Sequence, residues 1–159
     1  IFYEDNALGN SYLILAEHFE YMQEPMYYYY QHNSSTVHTI SVKRCEDRCA
    51  AGRLMLEEAR RHGYYEEYRT ELEYSFTLLF YINTLFTYMA GVKRAGYGFV
   101  HRLGGEMRET FPDFEKNPYY LERTHAEEKK LIGMQQRSTL LFICYYKLLW
   151  AYRKWKKRH

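Results

Sequence analysis

The chain has 159 residues, enough for one domain with its own hydrophobic core and short for two. Apolar residues make up 47% and charged residues 26% of the sequence, which is ordinary for a soluble domain, and the formal net charge is +2. The three cysteines, Cys45, Cys49 and Cys144, fit neither a zinc-binding pattern nor a disulfide framework. Composition therefore excludes a disulfide-rich secreted domain and predicts a reduced, cytosolic setting.

Two features depart from the average composition. The 19 tyrosines bring the aromatic content to 19%, and tyrosine suits both sugar-facing clefts and the boundary between water and lipid, because it combines a large ring with a polar tip. In addition, six cations lie within the last 13 residues, so the rest of the chain is net negative.

The chain opens with an apolar triplet and two adjacent acids, Glu4 and Asp5, ahead of a segment with helical periodicity. Over residues 6–18 the apolar side chains recur at the spacing of one helical face. Asp5 or Asn6 is placed to cap this helix, where the positive helix end would favour the ionised carboxylate that a general base needs. Helix capping alone also explains two adjacent acids, and that alternative stays open.

Two short extended pieces are predicted after this helix, because aromatic residues favour strands and proline opens the connection between them. They cover residues 19–22 and 26–31, on either side of Pro25. As the last strands of a sheet, they would make residues 1–36 a short α/β remnant.

Residues 2–35 resemble the end of the catalytic domain in bacterial family 2 glycosyltransferases that build capsule and lipopolysaccharide. In that family an aromatic-Glu-Asp motif opens a helix, and a segment of the form Glu-Pro-apolar-Tyr-Tyr-Tyr-x-x-His-x-x-Ser follows at about this distance. The matching residues are Glu4, Asp5, Pro25, Tyr27, Tyr29, His32 and Ser35. One departure is Tyr30, where the family often carries an arginine.

The resemblance implies roles for these residues. Asp5 would be the catalytic base, with Glu4 beside it in the same cleft. The residues implied in substrate binding are Tyr29, Gln31, His32 and Ser35. His32 is also a candidate ligand for a divalent metal, Mg²⁺ or Mn²⁺, and a histidine exposed in a turn is the competing interpretation.

The resemblance further implies that the nucleotide-sugar half of the enzyme, with an Asp-x-Asp metal motif, lies before Ile1. The sequence contains neither an Asp-x-Asp nor a glycine-rich phosphate loop. The metal would therefore be bound mainly by that other half, and these 159 residues alone are expected to be inactive.

Residues 37–159 are predicted to form a helical C-terminal subdomain. Its first helix, over about residues 37–62, would be capped by Ser35 or Thr36 and stopped by Gly63.

The next predicted helix covers residues 65–89, is apolar enough to form the core, and ends at Gly91. The glycines between positions 91 and 105 indicate a flexible connection or a short interrupted helix, and Asn117-Pro118 a further break.

Arg94 and His101 form an Arg-x6-His pair, a spacing used by one class of helical ribonucleases. Those nucleases carry the pair on a continuous helix, whereas four glycines lie in or near this stretch. A surface loop with two basic residues is therefore the favoured interpretation, and nucleic acid is not an expected partner.

The chain ends in an apolar stretch, residues 139–152, followed by a basic tail. The stretch is too short to span a bilayer, which needs about 20 residues. It is typical of an amphipathic helix at an anionic membrane surface, with its first turns buried in the domain. The residues predicted to contact the membrane are Trp150, Arg153, Lys154, Trp155, Lys156, Lys157 and Arg158. A core helix with a solvated basic tail is the alternative.

The sequence therefore predicts an α+β fold that is mostly α, with an α/β remnant of a glycosyltransferase A-type catalytic domain followed by the helical subdomain. The predicted function is the acceptor-side and C-terminal part of an inverting glycosyltransferase, which moves a sugar from a nucleotide-diphosphate donor to a cell-surface glycan or lipid-linked acceptor. The protein would be cytoplasmic and peripheral on the inner face of a bacterial membrane. The alternative is a non-catalytic helical scaffold or membrane-docking module.

Overall fold

A computed structural model of the chain describes residues 3–28, 30 and 40–157, except for the side chains at positions 4, 6, 10 and 11. Within these residues all of the regular secondary structure is helical. The elements in chain order are α1 (Glu4–Leu15), α2 (Val42–Arg61), α3 (Arg69–Phe76), a π-helix (Thr77–Ile82), α4 (Asn83–Gly91), α5 (Tyr97–Thr110), a 3-10 helix (Phe114–Lys116), α6 (Pro118–Arg123), α7 (Ala126–Arg137) and α8 (Thr139–Lys156).

The predicted α+β class is wrong, because the described residues contain no strand. The strand prediction depended on aromatic residues around Pro25, yet these side chains are exposed in a segment without regular structure; Tyr21 is 88% and Tyr28 85% exposed. A strand needs a neighbouring backbone to satisfy its N–H and C=O groups. No backbone hydrogen bond joins residues 17–28 to another described segment. Positions 29 and 31 of the second predicted strand lie outside the described residues.

The helix α2 is described from residue 42, five positions after its predicted start. The predicted caps, Ser35 and Thr36, and the predicted domain boundary after residue 36 lie outside the described residues. The observed cap is Ser41, whose Oγ accepts a hydrogen bond from the backbone N–H of Arg44 at 3.3 Å. The predicted stop is confirmed, since Gly63 follows the last turn with a φ of +79°, which glycine adopts without steric cost.

A long helical rod made of α3, the π-helix and α4 confirms the helix predicted over residues 65–89 and its end at Gly91. The π-helix packs against α2 and α5. Its Phe80 is fully buried and stacks on Phe76 with 4.2 Å between ring centroids, and Gly52 of α2 makes room for the same ring. The rod is therefore the centre of the hydrophobic core.

The helix α5 is continuous from Tyr97 to Thr110, so both alternatives predicted for this stretch, a flexible connection and a short interrupted helix, are wrong. Three glycines lie inside it. Gly104 serves close packing, because a Cβ there would overlap the side chain of Gln135 on α7. Gln135 is buried; its Nε2 donates to the Val100 carbonyl at 3.0 Å and its Oε1 accepts from the Tyr81 hydroxyl. A glycine at this position thus admits a buried, fully bonded polar side chain.

The last helices begin at local caps. Asn117 and Pro118, predicted as a break, begin α6 instead: Asn117 Oδ1 accepts from the Tyr119 backbone N–H at 3.0 Å, and Pro118 occupies the first turn. Ser138 caps α8, with its Oγ accepting from the Leu141 backbone N–H at 3.3 Å. The helix α8 then packs on α7 and α5.

Candidate functional site

The two acids of the opening stretch lie in the first turn of α1, which we call the acid turn together with the preceding Tyr3. The cap is Tyr3, not Asp5 or Asn6 as predicted, and Tyr3 adopts a left-handed conformation with φ 72° and ψ 27°. That conformation costs a residue with a Cβ about 1–2 kcal/mol, so it must be held by its surroundings. Asp5 is exposed at this helix end, where the helix dipole favours a negative charge.

Arg48 of α2 holds the acid turn in place. Its Nη2 donates to the Tyr3 hydroxyl at 2.9 Å, and its guanidinium carbon lies 4.4 Å from the centroid of the Tyr3 ring. Its Nη1 donates to the carbonyl of Asn83 and to Thr87 Oγ1, both at 3.1 Å. One half-buried arginine therefore connects the start of α1 to both α2 and α4.

The rest of α1 packs mainly against α2. Ala7 is fully buried, and its small side chain suits the close approach of the two helices. On α2, Cys45 and Cys49 are buried in the core, and burial raises the pKa of both thiols, that of Cys49 to about 12. Neutral, buried thiols are unreactive, so we assign these cysteines to packing and not to the site.

The other predicted site residues cannot be placed beside Asp5. Tyr29, Gln31, His32 and Ser35 lie outside the described residues, as does the side chain of Glu4. Among the residues that the structure describes, no group of three or more His, Cys, Asp or Glu is arranged to hold a metal ion. The metal site stays a prediction, because His32 lies outside the described residues, and we derive no chemical step through a metal.

The residues predicted to contact a membrane fall on different sides of α8. Trp150 and Arg153 are directed towards the domain: the Trp150 ring lies 5.9 Å from that of Tyr146, and Arg153 forms an ion pair with Glu127 of α7. Trp155 is exposed on the outer side, and the described lysines of the tail are also exposed. Arg158 lies outside the described residues.

The sequence analysis missed an exposed apolar stripe along the whole of α8, which we call the outer stripe. Its members follow one another at steps of three or four residues, and they are Leu141, Cys144, Leu148, Tyr152 and Trp155. The first turns of α8 are not simply buried, since Phe142 and Ile143 face the core while Leu141 faces solvent. The spacing was visible in the sequence, but α8 is apolar on two faces, and spacing alone does not say which one packs inward.

The Arg-x6-His pair is not carried on one helix. Arg94 lies exposed in the turn between α4 and α5, which agrees with the predicted loop. His101 lies on α5, so the loop prediction is wrong for this residue; its ring stacks on Tyr97 with 5.2 Å between centroids. The pair therefore lacks the shared helix of the ribonuclease arrangement.

No family model, curated protein or solved structure matches the chain. The resemblance to family 2 glycosyltransferases thus rests on the motif residues alone and stays a prediction. In the described part of the chain, no helix is both long and apolar enough to cross a membrane.

Proposed function

We propose that the chain is the acceptor-side and C-terminal part of an inverting glycosyltransferase that uses a nucleotide-diphosphate sugar and a glycan or lipid-linked acceptor. The strongest support is the acid turn, in which an exposed carboxylate occupies the first turn of a helix whose start is fastened by Arg48. The motif residues that resemble the family supply the substrate class. The proposal assigns donor and metal binding mainly to another part of the enzyme.

In the proposed reaction Asp5 accepts the proton of the acceptor hydroxyl. The hydroxyl oxygen then forms a bond to the anomeric carbon of the donor sugar as the bond from that carbon to the diphosphate oxygen breaks. The nucleoside diphosphate leaves with the bonding electron pair, and attack from the opposite side inverts the anomeric centre. The exposure of Asp5 in the first turn of α1 supports this role, because an acceptor hydroxyl can reach the carboxylate from solvent.

The test is Asp5→Asn in the full-length protein, which keeps the shape of the side chain and removes the proton acceptor. Transfer, measured as release of nucleoside diphosphate, should fall by about a hundredfold to ten-thousandfold, the usual contribution of a general base. Donor binding and the helical circular dichroism should be unchanged. The matched control is Glu17→Gln, which neutralises an exposed acid just after α1.

A non-catalytic helical scaffold is the rival function, and the same variant separates the two. If Asp5 serves only the helix end, Asp5→Asn lowers stability by about 0.3–1 kcal/mol and leaves transfer within threefold of the unmodified protein.

We also propose that the protein is peripheral on the inner, cytoplasmic face of a bacterial membrane. The support comes from the exposed apolar and basic side chains of α8.

A further inference from the structure

We propose that the outer stripe of α8 is a membrane-docking surface that enters the headgroup region of a bilayer rich in anionic lipid. The inference rests on the proposed peripheral membrane location, involves α8 alone and does not depend on transferase activity.

The outer stripe exposes large apolar side chains to solvent. Leu141 is 56%, Leu148 71%, Tyr152 57% and Trp155 60% exposed. On the opposite face, Phe142, Ile143 and Tyr146 are buried against the core. A helix that packs on a domain through one face normally carries polar residues on the other, so a second apolar face indicates a second apolar partner.

The charges around the stripe fit an anionic lipid surface. At 100° per residue, Lys147 lies about 100° to one side of the centre of the stripe and Lys156 about 80° to the other. Lys154 lies on the same side as Lys147 and farther round, at about 120°. All three lysines are exposed. From this position a long cationic side chain can reach lipid phosphates while the apolar face enters the interface. Between Lys129 and His159 the sequence has no Asp or Glu that would oppose this attraction.

The same charges disfavour a second copy of the chain as the occupant. Two α8 helices that pair through the outer stripe would place lysines of both copies beside the apolar seam with no acid of α8 to pair them. Helix pairs are normally matched by opposite charges beside the apolar seam, and α8 carries no acid. Anionic lipid supplies the complementary charge that a second copy lacks.

The inner face of α8 fixes its orientation on the bilayer. Because Phe142, Ile143 and Tyr146 remain packed in the core, the outer stripe on the opposite face of α8 is directed towards lipid, and the helix lies along the surface. The two tryptophans of the chain are then separated, with Trp155 on the stripe and Trp150 beside Tyr146 and the ion-paired Arg153. Tryptophan fluorescence can therefore report which face of α8 meets the membrane.

The first experiment measures partition of the protein onto vesicles of phosphatidylglycerol and phosphatidylcholine, and onto vesicles of phosphatidylcholine alone. We expect salt-sensitive binding to the anionic vesicles. Leu148→Ser should weaken it by about tenfold or more, and Lys147→Gln or Lys154→Gln by about fivefold each. The matched controls are Leu121→Ser, an exposed leucine on α6, and Lys93→Gln, an exposed lysine before α5; both should bind like the unmodified protein.

The second experiment uses each tryptophan alone. In Trp150→Phe the remaining Trp155 should shift its emission to the blue on anionic vesicles and be quenched by brominated lipid. In Trp155→Phe the remaining Trp150 should change little.

Three results would overturn the proposal. The first is equal binding to vesicles with and without phosphatidylglycerol, and the second is unchanged binding of Leu148→Ser. The third is a dimer in light scattering that Leu148→Ser converts to a monomer without any vesicle binding, which would assign the stripe to a second copy.

Discussion

Arg48→Met should release α1 from the domain while the other helices stay folded. The variant keeps the aliphatic stem and removes the guanidinium that bonds Tyr3, Asn83 and Thr87. A hydrogen bond to a charged group contributes about 1.5–3 kcal/mol and a cation–π contact at a partly exposed site about 0.5–1 kcal/mol. Because the bonds share one half-buried side chain and are not additive, we expect a loss of about 2–3 kcal/mol in the free energy of local opening of α1.

Amide hydrogen exchange measures this opening directly. A loss of about 2–3 kcal/mol corresponds to exchange that is about 30- to 150-fold faster, and it should be confined to the amides of α1. Exchange in α5 and α8 should be unchanged. The matched control is Arg53→Met, which removes an exposed ion pair between α2 and Glu106 of α5 and leaves the acid turn untouched.

The reasoning is refuted if exchange in α1 of the Arg48 variant stays within twofold of the unmodified protein. It is equally refuted if every helix loses protection to the same extent, since Arg48 would then stabilise the whole domain. Loss of α1 protection is independent of activity, so it can be observed even if Asp5 is not a base. If Asp5 is the base, the same variant should lower transfer, and Arg48→Lys, which retains a cation, should recover part of it.

Two further predictions concern the core. Gly104→Ala should lower the free energy of unfolding in urea by about 1–3 kcal/mol, because the added methyl group overlaps Gln135. The control is Gly105→Ala on the same helix, where the methyl group meets no atom within 4 Å and should raise the free energy of unfolding by about 0.5–1 kcal/mol. Equal effects of the two variants would contradict the packing role of Gly104. Burial raises the pKa of Cys49 from 9.0 to about 12, so the folded state binds more protons than the unfolded state between these values, and stability should fall as pH rises above about 9. Cys49→Ala should reduce this fall, and iodoacetamide should modify the exposed Cys144 well before Cys49 in the folded protein; early modification of Cys49 would show that the site opens.

Local chemistry was sufficient to predict where several helices end. Gly63 provides the left-handed conformation that follows a last turn, and Gly91 follows a run of core side chains with helical spacing. These signals lie within a few residues of the feature they predict, so no knowledge of the fold is needed. The helices predicted over residues 37–62 and 65–89 are observed over residues 42–61 and 69–91, so their ends were predicted more closely than their starts.

The failures involve features that distant residues decide. Aromatic residues around Pro25 favour a strand only when a neighbouring strand is available, and the described chain has none. The glycine-rich α5 is a continuous helix because Gly104 makes room for Gln135 on another helix. From composition alone the glycines were predicted to interrupt a helix. At least one of them, Gly104, instead allows two helices to pack closely.

The arginine that holds the acid turn could not be found from a local pattern either. Arg48 meets Tyr3, Asn83 and Thr87 across 45, 35 and 39 positions of sequence. An arginine in the middle of a charged helix is usually a solvated residue, so nothing in its neighbourhood marks it. The acid turn itself was visible because Glu4 and Asp5 are adjacent in the chain.

The outer stripe of α8 can be distinguished from a core face by comparing stability with binding. A core leucine changed to a small residue usually costs a domain about 2–5 kcal/mol, whereas a substitution on an exposed face usually changes stability by no more than about 0.5 kcal/mol. Leu148 is 71% exposed, so Leu148→Ser should leave the urea midpoint almost unchanged while vesicle binding falls. Ile143 lies on the buried face of α8, so Ile143→Ser should lower the urea midpoint. If Leu148→Ser lowers vesicle binding and leaves the urea midpoint unchanged, the outer stripe serves binding and not folding, which is what defines a docking surface.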